Sequence, residues 1–362
     1  MNKMSGTQWL EISRRIFISW GAPVDIANCV AQSLVNSDLA GISSHGVLRI
    51  PTYHEFLEKG WLNPTGRAQI IKESPAALNV DGNWGFGQPA MHQALEWAIA
   101  KSRLQGIAGV GLVHGSHIGR LGEYAEKAAE AGVLAVVTAS GGPCGGLVVP
   151  YGGAQRVLCT NPIAAGVPAG QCPPFIMDFA TSKVAAGKVE WAHNQDQSIP
   201  EGWALDSTGH PATTIRAFRE GGGLLPFGEH KGYAIALLIE LLCGGVTGAG
   251  LSERPHNIPE QGAGGNACFA IVIDIAHFVD LPQFRESVDA FFGRLKGVRP
   301  APGSKGVMIP GEPEAQQRAL RQMAGTRRAR RGVRKHWETP RPGFSRNGGE
   351  GSSCLRPCPT SA

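Results

Sequence analysis

Between Ala76 and Ala139 the chain alternates strand-like and helical runs, and this constrains the fold more than any other feature. Ala76–Val80 reads as a strand, and Pro89–Gln105 as a helix with Met91, Leu95 and Ile99 on one face. Ile107–Val113 is an apolar strand, Leu121–Ala131 an Ala-rich helix, and Leu134–Ala139 another strand. Strand, helix, strand in that order favours a parallel crossover, so the central part is α/β. Further short strands are expected over Val157–Thr160, Ala164–Val167, Phe175–Asp178 and Phe269–Ile275. Helices are expected over Lys183–His193, Lys231–Cys243 and Leu281–Leu295, the last packing Phe284, Val288 and Phe291.

The segment before this sheet has a different rhythm. Ser5 and Gln8 form a capping-box pattern ahead of Trp9, Ile12, Ile16 and Trp20, and Gly21 ends that helix. Pro23 opens a second helix with the stripe Ile26, Val30, Leu34, ended by Gly41. Ser44–Lys59 reads as a third, kinked or restarted at Pro51. The expected organisation is a helical N-terminal domain over 1–67, an α/β domain over 68–325, and a tail over 326–362. In the tail, hydrophobic periodicity gives way to Arg, Pro, Gly and Ser, a composition that cannot offset its ordering entropy, so it is read as disordered.

Charge follows the same division. The tail holds nine Arg/Lys against two Glu, a net of +7, which leaves −2 for the rest of a chain whose total is +5. The body therefore offers no basic field for a nucleic-acid backbone. Eight scattered cysteines without a CxxC pair fit reduced thiols, hence a cytoplasmic reading. The most apolar run, Tyr233–Cys243, contains Glu240 and is too short to span a bilayer.

The search for a dinucleotide site begins with a negative. Gly109-Val-Gly111-Leu-Val-His114 has His where a Rossmann fingerprint needs its third Gly, and it lies inside a strand. The fold class is therefore read as α/β without a classical Rossmann unit. Four residues apart on a helix, His45 and Arg49 would share a face and join a proton carrier to a carboxylate-binding guanidinium; they also fit an ordinary helix start. His114 and His117 end a strand, where such sheets place ligands, but no third metal ligand at a conventional spacing accompanies them, so no metal is expected. Lys231 opens a helix, where it could hold a phosphate or carboxylate, or simply face solvent. Asp178 could accept from a ribose hydroxyl, or serve as a turn residue.

Seven segments in order carry a resemblance: 38–51 (DLAGISSHGVLRIP), 81–88 (DGNWGFGQ), 115–125 (GSHIGRLGEYA), 159–164 (CTNPIA), 177–182 (MDFATS), 225–232 (LPFGEHKG) and 309–313 (IPGEP). Together they resemble the malate/L-lactate dehydrogenase-like family, which includes ureidoglycolate, sulfolactate and diketogulonate enzymes. The resemblance implies a homodimer with a mixed-sheet α/β fold and NAD or NADP bound outside any Rossmann unit. It implies a small 2-oxo or 2-hydroxy acid substrate, with a cyclic imine 2-carboxylate or a nucleotide-binding but inactive variant as alternatives. His45 would be the proton donor in reduction, with Ser44 and Arg49 close to substrate; in some members the histidine matching His117 is the acid/base instead. Ser140, Pro174, Phe175, Ile176, Met177, Asp178, Phe179, Ala180, His230, Lys231, Gly311 and Glu312 would contact the cofactor. Two departures stand out: Glu229 beside the HKG segment, where Gly is frequent, and the basic tail in place of a further helical end.

Overall fold

The computed structural model describes residues 4–141, 144–185, 189, 198–252, 254–255 and 265–324. It divides into two compact units, Met1–Arg328 and Ala329–Ala362, and the described residues all belong to the first. The tail expected to be disordered, and most of the helix expected over Lys183–His193, lie outside the described residues.

Helix α1 (Gly6–Ser19) opens with the full capping box: Gln8 N–H donates to Ser5 Oγ at 3.1 Å, and Ser5 N–H donates to Gln8 Oε1 at 2.8 Å. Its buried face is Trp9, Ser13 and Phe17 rather than the expected Trp9, Ile12, Ile16 and Trp20. Phe17 wins because it stacks edge-on against both Phe86 and Trp20, at 5.4 and 5.3 Å, and so rotates the helix by about one residue. Helix α2 (Val24–Leu39) buries Ile26, Val30 and Leu34 as its stripe requires. Helix α3 (Ile50–Glu58) starts afresh with Pro51 in its first turn, where the missing N–H costs nothing.

Next come strands β1 (Gln69–Ser74) and β2 (Ala77–Asp81), helix α4 (Gly87–Gln105), strand β3 (Ile107–Gly115), helix α5 (Gly122–Glu130) and strand β4 (Leu134–Ser140). Strands β5 (Ile163–Val167) and β6 (Phe175–Phe179), helix α6 (His230–Glu240), strand β7 (Asn266–Ile273) and helices α7 (Leu281–Lys296) and α8 (Glu312–Ala324) complete the elements that matter here. The segment read as a strand at Val157–Thr160 is instead a single bridge, Val148 to Leu158.

Seven strands form one mixed sheet in the order β1-β2-β3-β7-β4-β5-β6. Only β2 and β3 pair in parallel, through the α4 crossover; the remaining neighbours are antiparallel. β3 and β4 do run the same way, but β7 is inserted between them, with Ala270 opposite Val110 on one side and Val137 on the other. A strand from so late in the chain leaves no local trace in the β3–α5–β4 segment. Side chains from the sheet and from α4 and α5 make the main core, including Val80, Met91, Leu95, Leu112, Tyr124, Val137 and Val272. Gly111 sits mid-strand because a Cβ there would lie 2.7 Å from Asn79 Oδ1 and from Thr247 Cγ2. Its bareness admits the wide turn Leu241–Val246 that continues α6.

Helix α7 forms as expected, but its buried aromatic is Phe292 (7% exposed), not Phe291 (48%), which lies under the Arg294 guanidinium. Phe292→Ala is expected to cost about 3 kcal/mol in urea unfolding and Phe291→Ala less than about 1. Equal losses would mean the helix face is misassigned. No helix among the described residues is long and apolar enough to cross a membrane.

Candidate active site

The segment after α2 folds around a buried carboxylate. Asp38, 8% exposed, accepts the Val47 N–H at 2.9 Å and a hydrogen bond from the Ser43 side chain. Burial raises its pKa against the pull of these donors. Residue 46 must be glycine, since a Cβ there would fall 2.3 Å from the Asp38 carboxyl carbon. The chain therefore makes two short 3₁₀ turns, Ser43–His45 and Val47–Arg49, hinged at an extended Gly46. This corrects the expected single helix that paired His45 and Arg49 by spacing. They still converge, by another route: Arg49 folds back and its Nε donates to the Ser44 carbonyl at 2.7 Å.

Ser44 Oγ lies 3.0 Å from His45 Nδ1, and the His45 ring stacks on His117 at 5.5 Å and 22°. His117 belongs to the loop after β3. Its Nδ1 meets the Tyr53 hydroxyl of α3 at 2.8 Å, and that oxygen accepts from Gln88 Nε2 of α4, also at 2.8 Å. His114 separates from this group. With φ +50 it turns to a different cavity, 3.1 Å from Asp81 Oδ2 and 4.9 Å from the Trp84 ring. The HxxH pair does not form one site.

Electrostatics keep both clustered imidazoles neutral near pH 7. Burial, then the Arg49 and Arg120 charges, push His45 down to about 4. Burial, then Arg49 and His45, push His117 well below the ordinary range. A ring next to two guanidiniums binds a proton poorly until an anion arrives.

A second group adjoins the first. A cavity of about 400 Å³ is lined by Phe175 to Phe179 of β6, by Pro310, Gly311, Pro313 and Glu314, and by Ile42 and Arg120. Ile42 stands two residues before Ser44, and Arg120, three after His117, lowers the His45 pKa by its charge, so the cavity and the imidazole pair share Arg120. Ile176 N–H donates to the Pro310 carbonyl at 3.0 Å, stitching the 309–313 loop to the sheet edge. Gly311 has φ +98, and a Cβ there would press on Ile176 at 3.0 Å. Asp178 accepts the Gly122 N–H at 2.8 Å; it keeps surface open to the cavity, yet the enclosing protein pushes its pKa up to about 6 against the pull of Arg120. Arg120 is buried and paired with Glu126 at 2.8 Å, and Glu126 also takes Arg318 of α8 at 3.0 Å.

The other expected cofactor residues are dispersed. Pro174 and Ala180 flank β6. Glu312 shapes the loop rather than lining the cavity: Oε2 accepts the Ile309 N–H at 3.1 Å, Oε1 pairs with Lys296, and that lysine lowers its pKa. Ser140 is buried at the end of β4; its carbonyl accepts from Asn266, whose side chain also holds the Ile118 N–H of the His117 loop. His230 and Lys231 open α6 in solvent, outside the cavity lining, although Phe227 just before them packs edge-on against Phe179 at 5.6 Å. Sequence reasoning missed Tyr53, Gln88 and Arg120 as site residues. Arg120 carried a usable signal, a lone charge in an otherwise small and apolar stretch; Tyr53 carried none, since its part in the site depends on residues distant in sequence.

Comparison with known proteins agrees with this geometry. The sequence matches the family described as malate/L-lactate dehydrogenase over residues 5–333. It is 37% identical to a malate dehydrogenase of Pyrococcus abyssi over 306 residues, covering 82% of this chain and 83% of that one. It is 36% identical to an L-lactate dehydrogenase of Cupriavidus necator over 321 residues, covering 88% and 91%. The solved structure of sulfolactate dehydrogenase from Methanocaldococcus jannaschii superposes with a TM-score of 0.82 at 31% identity, covering 91% of this chain and 94% of that one. With its mixed sheet, its paired imidazoles and a match running through nearly all of its described length, this chain belongs to the malate/L-lactate dehydrogenase family.

Proposed function

We propose that the protein is an NAD(P)-dependent oxidoreductase that interconverts a small 2-oxo acid and its 2-hydroxy acid. The observation that carries this reading is the cluster of Ser44, His45, Arg49 and His117 beside Arg120, whose charge acts on His45 and which also lines the cavity walled by β6 and the 309–313 loop. A nicotinamide cofactor fits the residues present: the apolar walls Phe175 and Ile176 suit a flat ring, Asp178 offers an acceptor, and Gly311 keeps the loop close to the strand. Phe175–Phe179 and Gly311 would hold the ring, with Ser140, Pro174, Ala180, His230, Lys231 and Glu312 serving the remainder of the dinucleotide. The cofactor, when bound, gives or takes the hydride at substrate C2.

The protein's own groups do the rest. Arg49 pairs with the substrate carboxylate and thereby fixes the orientation of C2. In reduction His45 gives a proton to the oxygen that becomes the alcohol; in oxidation it takes that proton back. Docking of a carboxylate on Arg49 neutralises one of the charges that depress His45, so proton affinity rises when the substrate is in place.

The same reading places the cofactor outside any Rossmann turn, supported by the position of Gly109-Val-Gly111 inside β3 rather than in a turn after it. It gives the helices of 1–67 the substrate side and 68–325 the cofactor side. A homodimer is supported by the apolar surface that Leu237, Leu238, Leu241 and Val246 leave exposed along α6 and its continuation. Buried thiols at Cys243 and Cys268 suit a reducing cytoplasm. Glu229 next to Lys231 favours NAD over NADP, by opposing an additional phosphate. The test is a panel of pyruvate, oxaloacetate and a cyclic imine 2-carboxylate, each with NADH and NADPH. Turnover of a 2-oxo acid is expected; turnover of the imine alone, or cofactor binding without any turnover, would overturn the reading.

A further inference from the structure

The two imidazoles are held differently, and the difference decides which of them can move a proton. His117 Nδ1 faces two groups: the Gly119 backbone N–H at 3.3 Å and the Tyr53 hydroxyl at 2.8 Å. A backbone N–H has no alternative role, so the nitrogen it approaches must carry a lone pair. The Tyr53 hydroxyl could in principle accept instead of donate, and Gln88 settles its role. Gln88 is fully buried, and its Nε2 donates to the Tyr53 oxygen at 2.8 Å, which directs the phenol's own proton to His117. Reversing the amide would place NH₂ where Oε1 now lies, a position without a hydrogen-bond partner among the described residues. That would strand two donors in place of one acceptor, the costlier arrangement. All three contacts therefore agree that the single proton of a neutral His117 sits on Nε2.

His45 is not constrained in this way. Its Nδ1 meets the Ser44 hydroxyl at 3.0 Å, a rotor that can donate or accept, so this ring can gain and lose a proton without stranding its neighbour.

We propose that Gln88 and Tyr53 are positioning residues that lock His117 as the neutral Nε2–H tautomer, making it a fixed hydrogen-bond donor to the substrate's C2 oxygen and leaving proton transfer to His45. The donor role rests on the proposed oxidoreductase reading; the tautomer does not. A second proton on His117 would have to displace the lone pair that Tyr53 and Gly119 address, and burial beside Arg49 opposes it as well. A neutral imidazole donor suits the task, because it polarises a carbonyl without releasing its proton to the product.

The experiment is nitrogen NMR of the full chain labelled with ¹⁵N-histidine, the His117 signals being assigned by their loss in His117→Gln. At neutral pH the expected pattern is a pyridine-type Nδ1 and a pyrrole-type Nε2, unchanged well below the pH at which a free histidine protonates. In Tyr53→Phe the pattern should become a mixture of tautomers. In the same variant kcat for reduction should fall about tenfold, with KM for the cofactor unchanged, since a donor is misdirected rather than removed. Gln88→Met, which frees the phenol to rotate, should give a smaller shift in the same direction. A pyrrole-type Nδ1 or a doubly protonated His117 in the unaltered protein overturns the proposal, and this needs no variant to fold. A tautomer unchanged in both Tyr53→Phe and Gln88→Met overturns it too. If the tautomer is as expected but no 2-oxo acid is turned over, the oxidoreductase reading fails while the lock stands.

Discussion

Replacing His45 by alanine is expected to lower kcat for 2-oxo acid reduction by about 10²–10⁴-fold, the usual worth of a positioned proton donor. Cofactor affinity, measured by NADH fluorescence titration, should stay within a few-fold of the parent, because His45 lies outside the cavity lining. The pH profile carries the sign. With His45 held at about 4 in the free protein, kcat/KM for oxidation, which needs the neutral ring, should be flat from neutrality down to about that value and then fall. Reduction needs the protonated ring, so its kcat/KM should decline as pH rises above the same value. In kcat, which reports the complex, both breaks should move upward, because the bound carboxylate neutralises Arg49. Near-normal turnover in His45→Ala alongside its loss in His117→Ala would transfer the proton-carrying role to His117.

The second large effect concerns Arg49. Its Nε is engaged with the Ser44 carbonyl, which holds the guanidinium beside the imidazoles rather than in open solvent. Arg49→Met should raise KM for the 2-oxo acid about 100-fold, the loss of a charge-assisted pair of about 3 kcal/mol. It should also raise the pKa of His45 in the free protein, since a positive neighbour is gone. A variant with raised KM and an unmoved pH break would place Arg49 away from His45; an unchanged KM would give carboxylate binding to another residue.

Much of this was legible in the sequence because it rests on local rules. The capping box at Ser5, the restart at Pro51 and the α4 crossover between β2 and β3 all follow from spacing within a few turns. The strand β7 was visible as a strand, yet its place between β3 and β4 was not, because its partners lie more than a hundred residues upstream. The same limit applies at the site. His45 and Arg49 were found, but their geometry was taken from an ideal helix. Gly46 and the buried Asp38 carboxylate replace that helix with two short turns, a choice made by a close approach of backbone to side chain that composition does not reveal. Gln88 lay in a matched segment without a role, because its function depends on a phenol from another helix.

The last helix has a wider reach than its position suggests. Helix α8 begins in the loop that walls the β6 cavity, its Arg321 donates to the Asp38 carbonyl, and its Arg318 grips Glu126, the partner of Arg120. One rod thus braces the cavity wall, the root of the Ser43–Arg49 turns and the buried Arg120 guanidinium. Under the proposed function, cofactor and acid are thus ligands of a single frame, and any coupling of their affinities is equal in both directions.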